Sequence, residues 1–597
     1  EIQSLANPVT TASFDFSLST GGATSVTQGG SVSNAITANL VSGAAQSVSF
    51  STSGLPSGAS VSFSPTSCTP TCTTTLTINS GTAAAGTYTI MVTGTAGTLS
   101  HTTSFGLTIS AVSTTGNTYY ISPTGLDTNP GTSAAPWKTF AFAIPKLNPG
   151  DTLLLKDGTY TGSNSGYPNI NCSTTAKNGT ATARITIQAE NERQAFIKGD
   201  GGSIQPFTMQ SCSYWNIVGL HVEDGDFINA PSSNAGYAME FRNSSYITVR
   251  RNIVAHANRY KNAHLLAFES IGGGPSSNNL VEENELYEYH RHGIVFYGGS
   301  SSNHNVARRN YASRRWYPNI PGGYIGGAPG FMVYGGKDNI YENNIAEQGA
   351  WFNLEPTDGG PGPTNNKYIG NVVYKTGGYP GFRTSTHQAV LSNEPVNNTF
   401  INDVAIASRS GFYSRSSHNN IINNSSVFAD TTGSDDGYLA DIDGTSPSTG
   451  GVYSLYVNNS LAVNLTQGDG FQVSTVKGGS WAWGFDYNAT YNNRTNYSPN
   501  QNVTNAFLAN PNMGSCYLWI PDNSPLKKAG KDLNGDGIKD DIGANILYRY
   551  ENGVLTNQPL WNPTTGEFPH GAIIAGVNDI AGSSAFDVHK RLNVNTN

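Results

Sequence analysis

The chain has 597 residues, of which only 12% are charged, alongside 68 glycines and 30 tyrosines. That length allows several domains, and the balance is that of a secreted β-protein built from turns and aromatic strands. A net charge of −8 gives nucleic acid no electrostatic handle, and no apolar run is long enough to span a membrane. The start at Glu1 is read as a mature, processed form of an extracellular or cell-surface protein.

Residues 1–111 are expected to form one unit. F-D-F-S-L from Phe14 opens it, and strands around Tyr88 and from Phe105 close it. Short alternating strands with Gly, Ser and Pro turns predict a β-sandwich. The phrase G-L-P-S-G-A-S-V-S-F-S-P from Gly54 resembles bacterial immunoglobulin-like modules of secreted proteins, which implies a spacer, an anchor or a weak binding surface. Cys68 and Cys72 flank T-P-T, a spacing that can close a small disulfide loop. Residues 112–117, V-S-T-T-G-N, read as a linker.

A β-helix is expected over 118–515. Its opening segment runs Y-Y-I-S-P-T-G-L-D-T-N-P-G-T-S-A-A-P-W-K-T-F from Tyr119, then L-N-P-G-D-T-L-L-L-K-D-G-T-Y from Leu147. It resembles the start of right-handed parallel β-helix proteins of the pectate-lyase-like superfamily, family 9 polysaccharide lyases included. The resemblance implies that W-K-T and the following apolar stretch form a capping helix and that P-G-D-T begins the first rung. A cap covers a sheet edge that would otherwise template aggregation. The chain departs from family 9 in lacking a cluster of aspartates around a catalytic lysine. Cys172 and Cys212, about one rung and loop apart, can pair, which leaves Cys516 over and fits an oxidising compartment.

Within this region one phrase recurs: a branched or aromatic residue, polar residues, an Asn, then an apolar stretch. Its anchors are Asn252, Asn284, Asn310, Asn344, Asn371, Asp403, Asn459 and Asn488, spaced 32, 26, 34, 27 and 32 residues apart up to Asp403. Loose spacing of Val-, Ile- and Tyr-rich units predicts strands in a solenoid whose turns carry variable loops. The Asn amides are expected to bond from rung to rung. The doublets before the anchors, Arg250/Arg251, Glu282/Glu283 and Arg308/Arg309, alternate in sign as a structural ion-pair ladder would.

Residues after the anchors suggest chemistry. Four on lie His256, Glu288 and Arg314, six on His290 and Trp316, and seven on Arg259, Arg291, Tyr317 and Trp351. β-Elimination of a uronic-acid polymer needs a group to neutralise the carboxylate, a base for the adjacent proton and an acid for the leaving oxygen. Arg259, Arg291, Arg314 and Arg315 suit the first task, His256, His290 or His292 the second, and Tyr297 or Tyr317 the third. Trp316 and Trp351 suit stacking on sugars. A hydrolase would need two carboxylates, for which Glu269, Glu288, Glu355 and Asp358 are candidates. The expected activity is therefore polysaccharide lysis. Hydrolysis is the second reading, and a non-catalytic surface, adhesin or filament-forming rod the third.

The tail, 516–597, contains K-D-L-N-G-D-G-I-K-D-D-I-G-A from Lys531. Asp532, Asn534, Asp536, the Ile538 carbonyl and Asp540 place oxygens at alternating positions, as a structural calcium ion requires. The run resembles most of an EF-hand or dockerin loop, with Gly543 where a bidentate carboxylate would stand and Asp541 as the nearby substitute.

Overall fold

A computed structural model describes residues 12–27, 30–81, 83–110, 116–200, 205–224, 237–257, 264–289, 291–314, 328–356, 360, 362–376, 378–385, 394–406, 408–415, 419–428, 436–441, 452–473, 480–497, 503–513 and 518–560. The chain divides into two compact units, Glu1–Thr115 and Gly116–Asn597.

The first unit is a β-sandwich. One sheet pairs Asp15–Thr20, Ser31–Ser42, Cys72–Asn79 and Ser60–Ser64; the other is built on Gly86–Ala96 and Leu99–Ser110. Alternation along Ser31–Ser42 and Cys72–Asn79 turns Ile36, Leu76 and Ile78 inward against Ile90, Val92 and Leu107. Cys68 and Cys72 are disulfide-bonded.

The second unit is a right-handed parallel β-helix of three sheets with 14, 12 and 12 strands. Its cap is the short helix Phe140–Ala143, with Thr139 as N-cap, followed by a 3-10 turn at Ile144–Lys146. Asp127 fixes the cap by accepting the Lys138 and Thr139 amides at 3.0 and 2.9 Å. Trp137 is buried and stacks on Tyr119 with centroids 4.7 Å apart. Cys172 and Cys212 are bonded beside the early rungs.

The Asn residues form a continuous ladder. Asn252, Asn284, Asn310, Asn344 and Asn371 each donate a side-chain amide to the oxygen of the next rung's residue at 3.0–3.1 Å. Each amide also reaches a backbone carbonyl, as Asn344 does to Ala307 at 2.9 Å. Side chains buried to 0% exposure are thereby satisfied. A second ladder, Asn279–Asn305–Asn339–Asn366–Asn398–Asn420, runs five residues ahead of the first. Sequence reading missed it, although N-x-x-x-x-N recurs at every one of these rungs up to Asn366/Asn371. One anchor also needs correction: Asn459 sits in the preceding left-handed turn position (φ 50), and Ser460 takes the ladder place, accepting the Ser425 amide at 3.3 Å.

Asp403 departs from the ladder in a testable way. Its Oδ1 accepts both Asn371 donors at 2.7 and 3.0 Å, while its Oδ2 is buried with no partner among the described residues. Burial drives its pKa well above the usual carboxylate range, against the pull of the Asn371 hydrogen bonds. A raised folded-state pKa stabilises below the unfolded value, and that stability is lost as pH rises toward the folded one. Asp403→Asn, which restores the missing amide, should therefore raise the melting temperature, with a larger gain at neutral than at acidic pH. Calorimetry across pH checks this.

The doublets form the expected ladder, with Arg250, Arg251, Arg308 and Arg309 paired to Glu282 and Glu283 at 2.7–3.5 Å. The C-terminal segment locks onto it. Glu551 pairs with Arg308 and Arg309, and Glu342 accepts the amides of Asn552 and Gly553 at 2.8 and 2.7 Å. The same segment lays Met513, Leu518, Ile520, Ile542 and Ile546 over the outer face of the second sheet, from Ile253 to Ala489. Gly543 (φ 113) passes so close that a Cβ would meet Ile520 at 2.7 Å and Ser426 at 2.9 Å, so backbone approach explains this glycine. Among the described residues, no helix is long and apolar enough to cross a membrane.

Candidate functional site

With the second sheet covered, chemistry gathers on the outer face of the third. Its strands Met239–Arg242, His264–Glu269, His292–Tyr297 and Phe331–Tyr334 lie on successive rungs. Period-two alternation sends Phe241, Phe268 and Phe296 inward, where Phe241 and Phe268 stack at 4.5 Å. The alternate residues point out, and the register aligns Arg242, Glu269, Tyr297 and Tyr334 in one row.

These residues line an open pocket of about 570 Å³, with Tyr237, His264, His292, Arg291 and the turn Ser270–Gly272 as its other walls. Tyr237, His264 and His292 form a ring stack with centroids 5.0 and 4.7 Å apart. Tyr297 and Tyr334 stack at 5.3 Å, and the Arg291 guanidinium lies 5.7 Å from the Tyr334 ring. Glu269 is the one carboxylate lining the pocket among the described residues. It is hydrogen-bonded to Tyr237 and to Glu240, which lies buried behind it and is paired with Arg242 at 2.5 Å.

Burial, and then the charge of Glu240, push the Glu269 carboxyl up to about 7. The pair holds a proton near neutrality because two buried carboxylates in contact resist ionising together. Burial, then the two carboxylates, hold the Tyr237 hydroxyl above its ordinary range. His292 is driven well below its usual pKa by burial, then by His264 and Arg291, so it is a neutral imidazole at physiological pH. Its Nδ1 is buried without a partner among the described residues.

The residues singled out from the sequence fall in different places. Arg291 lines the pocket, as do Glu269, His292 and Tyr297. His256 and Glu288 do not; they occupy left-handed positions (φ 55 and 54) in the turn that closes the second sheet, stacked with Gln348 and Lys375. Their shared offset reflects turn geometry, each amide donating to a carbonyl one rung on. His256 pairs with Glu223 at 3.1 Å. Burial pushes Glu223 up, but hydrogen bonds from His221 and His256 outweigh it and bring the carboxyl to about 2. Arg314 is buried, donating to the Tyr289 carbonyl at 3.2 Å over that ring. Trp351 is only 3% exposed and stacks on Tyr379, so it offers no face to a sugar. Glu355 binds the Asn353 amide at 2.8 Å. Arg259, His290, Arg315, Trp316, Tyr317, Asp358 and Cys516 lie outside the described residues.

Tyr237, Glu240, Arg242 and His264 were not read from the sequence. The alternation in M-E-F-R and H-L-L-A-F-E carried the signal, but loops of unequal length separate the third-sheet strands from the Asn anchors.

Residues 119–293 match the family described as Pel9A-like, right-handed beta helix region. The match spans less than a third of the chain. It contains Tyr237, Glu240, Arg242, Glu269, Arg291 and His292. The pectate lyase PEL9 of Emericella nidulans is 28% identical over 178 residues, which are 27% of this chain and 37% of that enzyme's length. Among solved structures, the complex of XylC with xylose is similar with a TM-score of 0.33 and 11% identity, covering 66% of this chain and 87% of that one. A rhamnogalacturonan lyase gives a TM-score of 0.24 and 17% identity, covering 63% and 74%. Domains 4 and 5 of the S-layer protein SbsC give 0.14 and 18%, covering 17% and 54%.

In the 532–540 loop, Asp532 accepts the Gly535 and Gly537 amides at 2.7 and 2.9 Å, and Asp536 accepts the Ile538 amide at 2.7 Å. Asp541 is tied to Lys527, Lys528 and Asn545. Among the described residues, no three His, Cys, Asp or Glu side chains are gathered closely enough to hold a metal. Burial, then the charges of Asp532, Asp536 and Asp541, raise the Asp540 carboxyl against the Leu533 amide.

Proposed function

We propose that this is a secreted polysaccharide lyase that cleaves a uronic-acid polymer by β-elimination at the third-sheet pocket. The observation that carries the reading is one lining carboxylate, poised near neutral pKa, beside two arginines. Arg242 and Arg291 hold the uronate carboxylate, which acidifies the neighbouring C–H. Glu269 takes that proton. The electrons of the broken C–H bond form the new C=C bond as the glycosidic C–O bond breaks, and Tyr297, one rung from Glu269, protonates the departing oxygen. Hydrolysis fits less well, because it needs two carboxyls about 5–9.5 Å apart across the scissile bond. Here the second carboxyl is hydrogen-bonded to the first and buried behind it. The Pel9A-like match, which includes Glu269, Arg242 and Arg291 but ends before Tyr297, and the similarity to a pectate lyase support the same class.

The test is a screen of acidic and neutral polysaccharides that reads both unsaturated-product absorbance and reducing ends. Both signals on a uronic-acid polymer are expected. Reducing ends without unsaturation would move hydrolysis ahead, and no cleavage of any polymer would favour a surface or assembly role.

We further propose that Asp532, Asn534, Asp536, the Ile538 carbonyl and Asp540 hold a structural calcium ion. The oxygens keep lone pairs beyond those given to amides, and the mutual repulsion of the carboxylates is what a cation would relieve. Removing calcium with a chelator should lower the melting temperature, and restoring it should reverse the shift. An unchanged melting curve sinks the site.

A further inference from the structure

The turn that follows each third-sheet strand holds a column of residues in the left-handed conformation: Tyr214, Tyr246, Asn278, His304, Asp338 and Asn365, with φ between 55 and 61. Each continues the column by donating its amide to the rung beyond, as Tyr246 does to Ser277 at 3.0 Å and Asn278 to Asn303 at 3.2 Å. Left-handed backbone is tolerated best by Gly, Asn and Asp, so bulky tyrosines there are strained. Each rung closes through such a left-handed step, so the conformation belongs to the turn, and what is particular to these two rungs is that aromatic side chains occupy it.

Arg184 ties the two tyrosine turns together. It donates to Asn216 at 2.7 Å, to the Trp215 carbonyl at 3.0 Å, to Thr248 at 3.2 Å and to the Tyr246 carbonyl. Its guanidinium lies 5.9 Å from the Tyr214 ring. The two rings stack at 4.6 Å, 12° from parallel, and Tyr246 is 40% exposed. Beyond Tyr246 the column continues with the smaller, exposed Asn278, so among the described residues one ring face has no aromatic neighbour. The turn is shared with the pocket: Arg242 lines the pocket four residues before Tyr246, and Asn243 accepts the amide of pocket-lining Ile271 at 2.7 Å.

We propose that Tyr214 and Tyr246 form a carbohydrate-stacking platform that seats a pyranose ring of the polymer outside the pocket, with Asn278 offering hydrogen bonds to its hydroxyls. A flat, rigid ring beside polar groups matches a sugar, which has one apolar face and a hydroxylated rim. This deepens the lyase reading and rests on it for the identity of the polymer.

Binding is measured in the full chain carrying Glu269→Gln, which isolates it from cleavage, by electrophoretic retardation in gels containing polygalacturonate. Adding Tyr246→Asn should weaken retardation about 5–10-fold without lowering the melting temperature, because Asn suits the left-handed position. Tyr246→His, which keeps a flat ring, should retain most of the binding. Three results overturn the platform: retardation equal to the parent, a fall in melting temperature that accounts for the loss, or a parent that is not retarded. The rings then only shelter Arg184. A parent retarded through Tyr246, in a protein whose native form cleaves nothing, would sink the lyase reading and leave the platform standing.

Discussion

Glu269→Gln should lower turnover on a uronic-acid polymer by about 100-fold or more, since the amide keeps the shape but cannot accept the proton. The fold should survive, because the Tyr237 hydroxyl and Glu240 can still hydrogen-bond to the amide. Arg291→Ala should act differently, raising KM for acidic polymers more than it lowers kcat. With Glu269 raised to about 7, kcat/KM of the native protein should climb as pH passes through about 7 and the shared proton leaves. Stability should run the opposite way. The pKa is raised in the folded state, so the stabilisation is complete below the unfolded value and is lost as pH rises through about 7. Glu269→Gln should flatten both profiles. Turnover within a few-fold of the native protein, with an unchanged pH profile, would remove Glu269 from the chemistry.

Asn344→Leu should destabilise the β-helix by at least about 1–3 kcal/mol. The Asn344 oxygen accepts the Asn310 backbone amide at 2.9 Å and its side-chain amide at 3.0 Å. Leucine leaves that backbone N–H buried with no partner, and no water reaches a ladder at 0% exposure. Asn344→Ser should cost less, since Ser425 and Ser460 already accept a neighbour's amide at ladder positions. Denaturant melts of the two variants give the comparison, and equal midpoints would mean that the ladder amides contribute nothing beyond volume.

Sequence by itself determined the parts of this protein whose physics is local or strictly repeated. An Asn that must satisfy a buried turn recurs at each rung, so the ladder from Asn252 to Asp403 is legible, and so is the alternating Arg/Glu doublet beside it. The capping helix is legible from W-K-T only through the family resemblance; its N-cap at Thr139 is seen in the structure. Where a serine replaces Asn the pattern misleads by one position, as at Asn459 and Ser460, because the neighbouring left-handed turn also favours Asn.

Tertiary structure alone decided which face is free. The four-residue offset after the anchors is real, yet it marks a turn column, since every rung must close its second sheet in the same left-handed step. The C-terminal segment then covers that sheet through long-range contacts, such as Arg309 with Glu551 across 242 residues, which no local pattern encodes. Glu240, Glu269 and Arg291 come together only because unequal loops bring their strands into register one rung apart, and it is the resulting burial and mutual charge that set the Glu269 proton near neutrality.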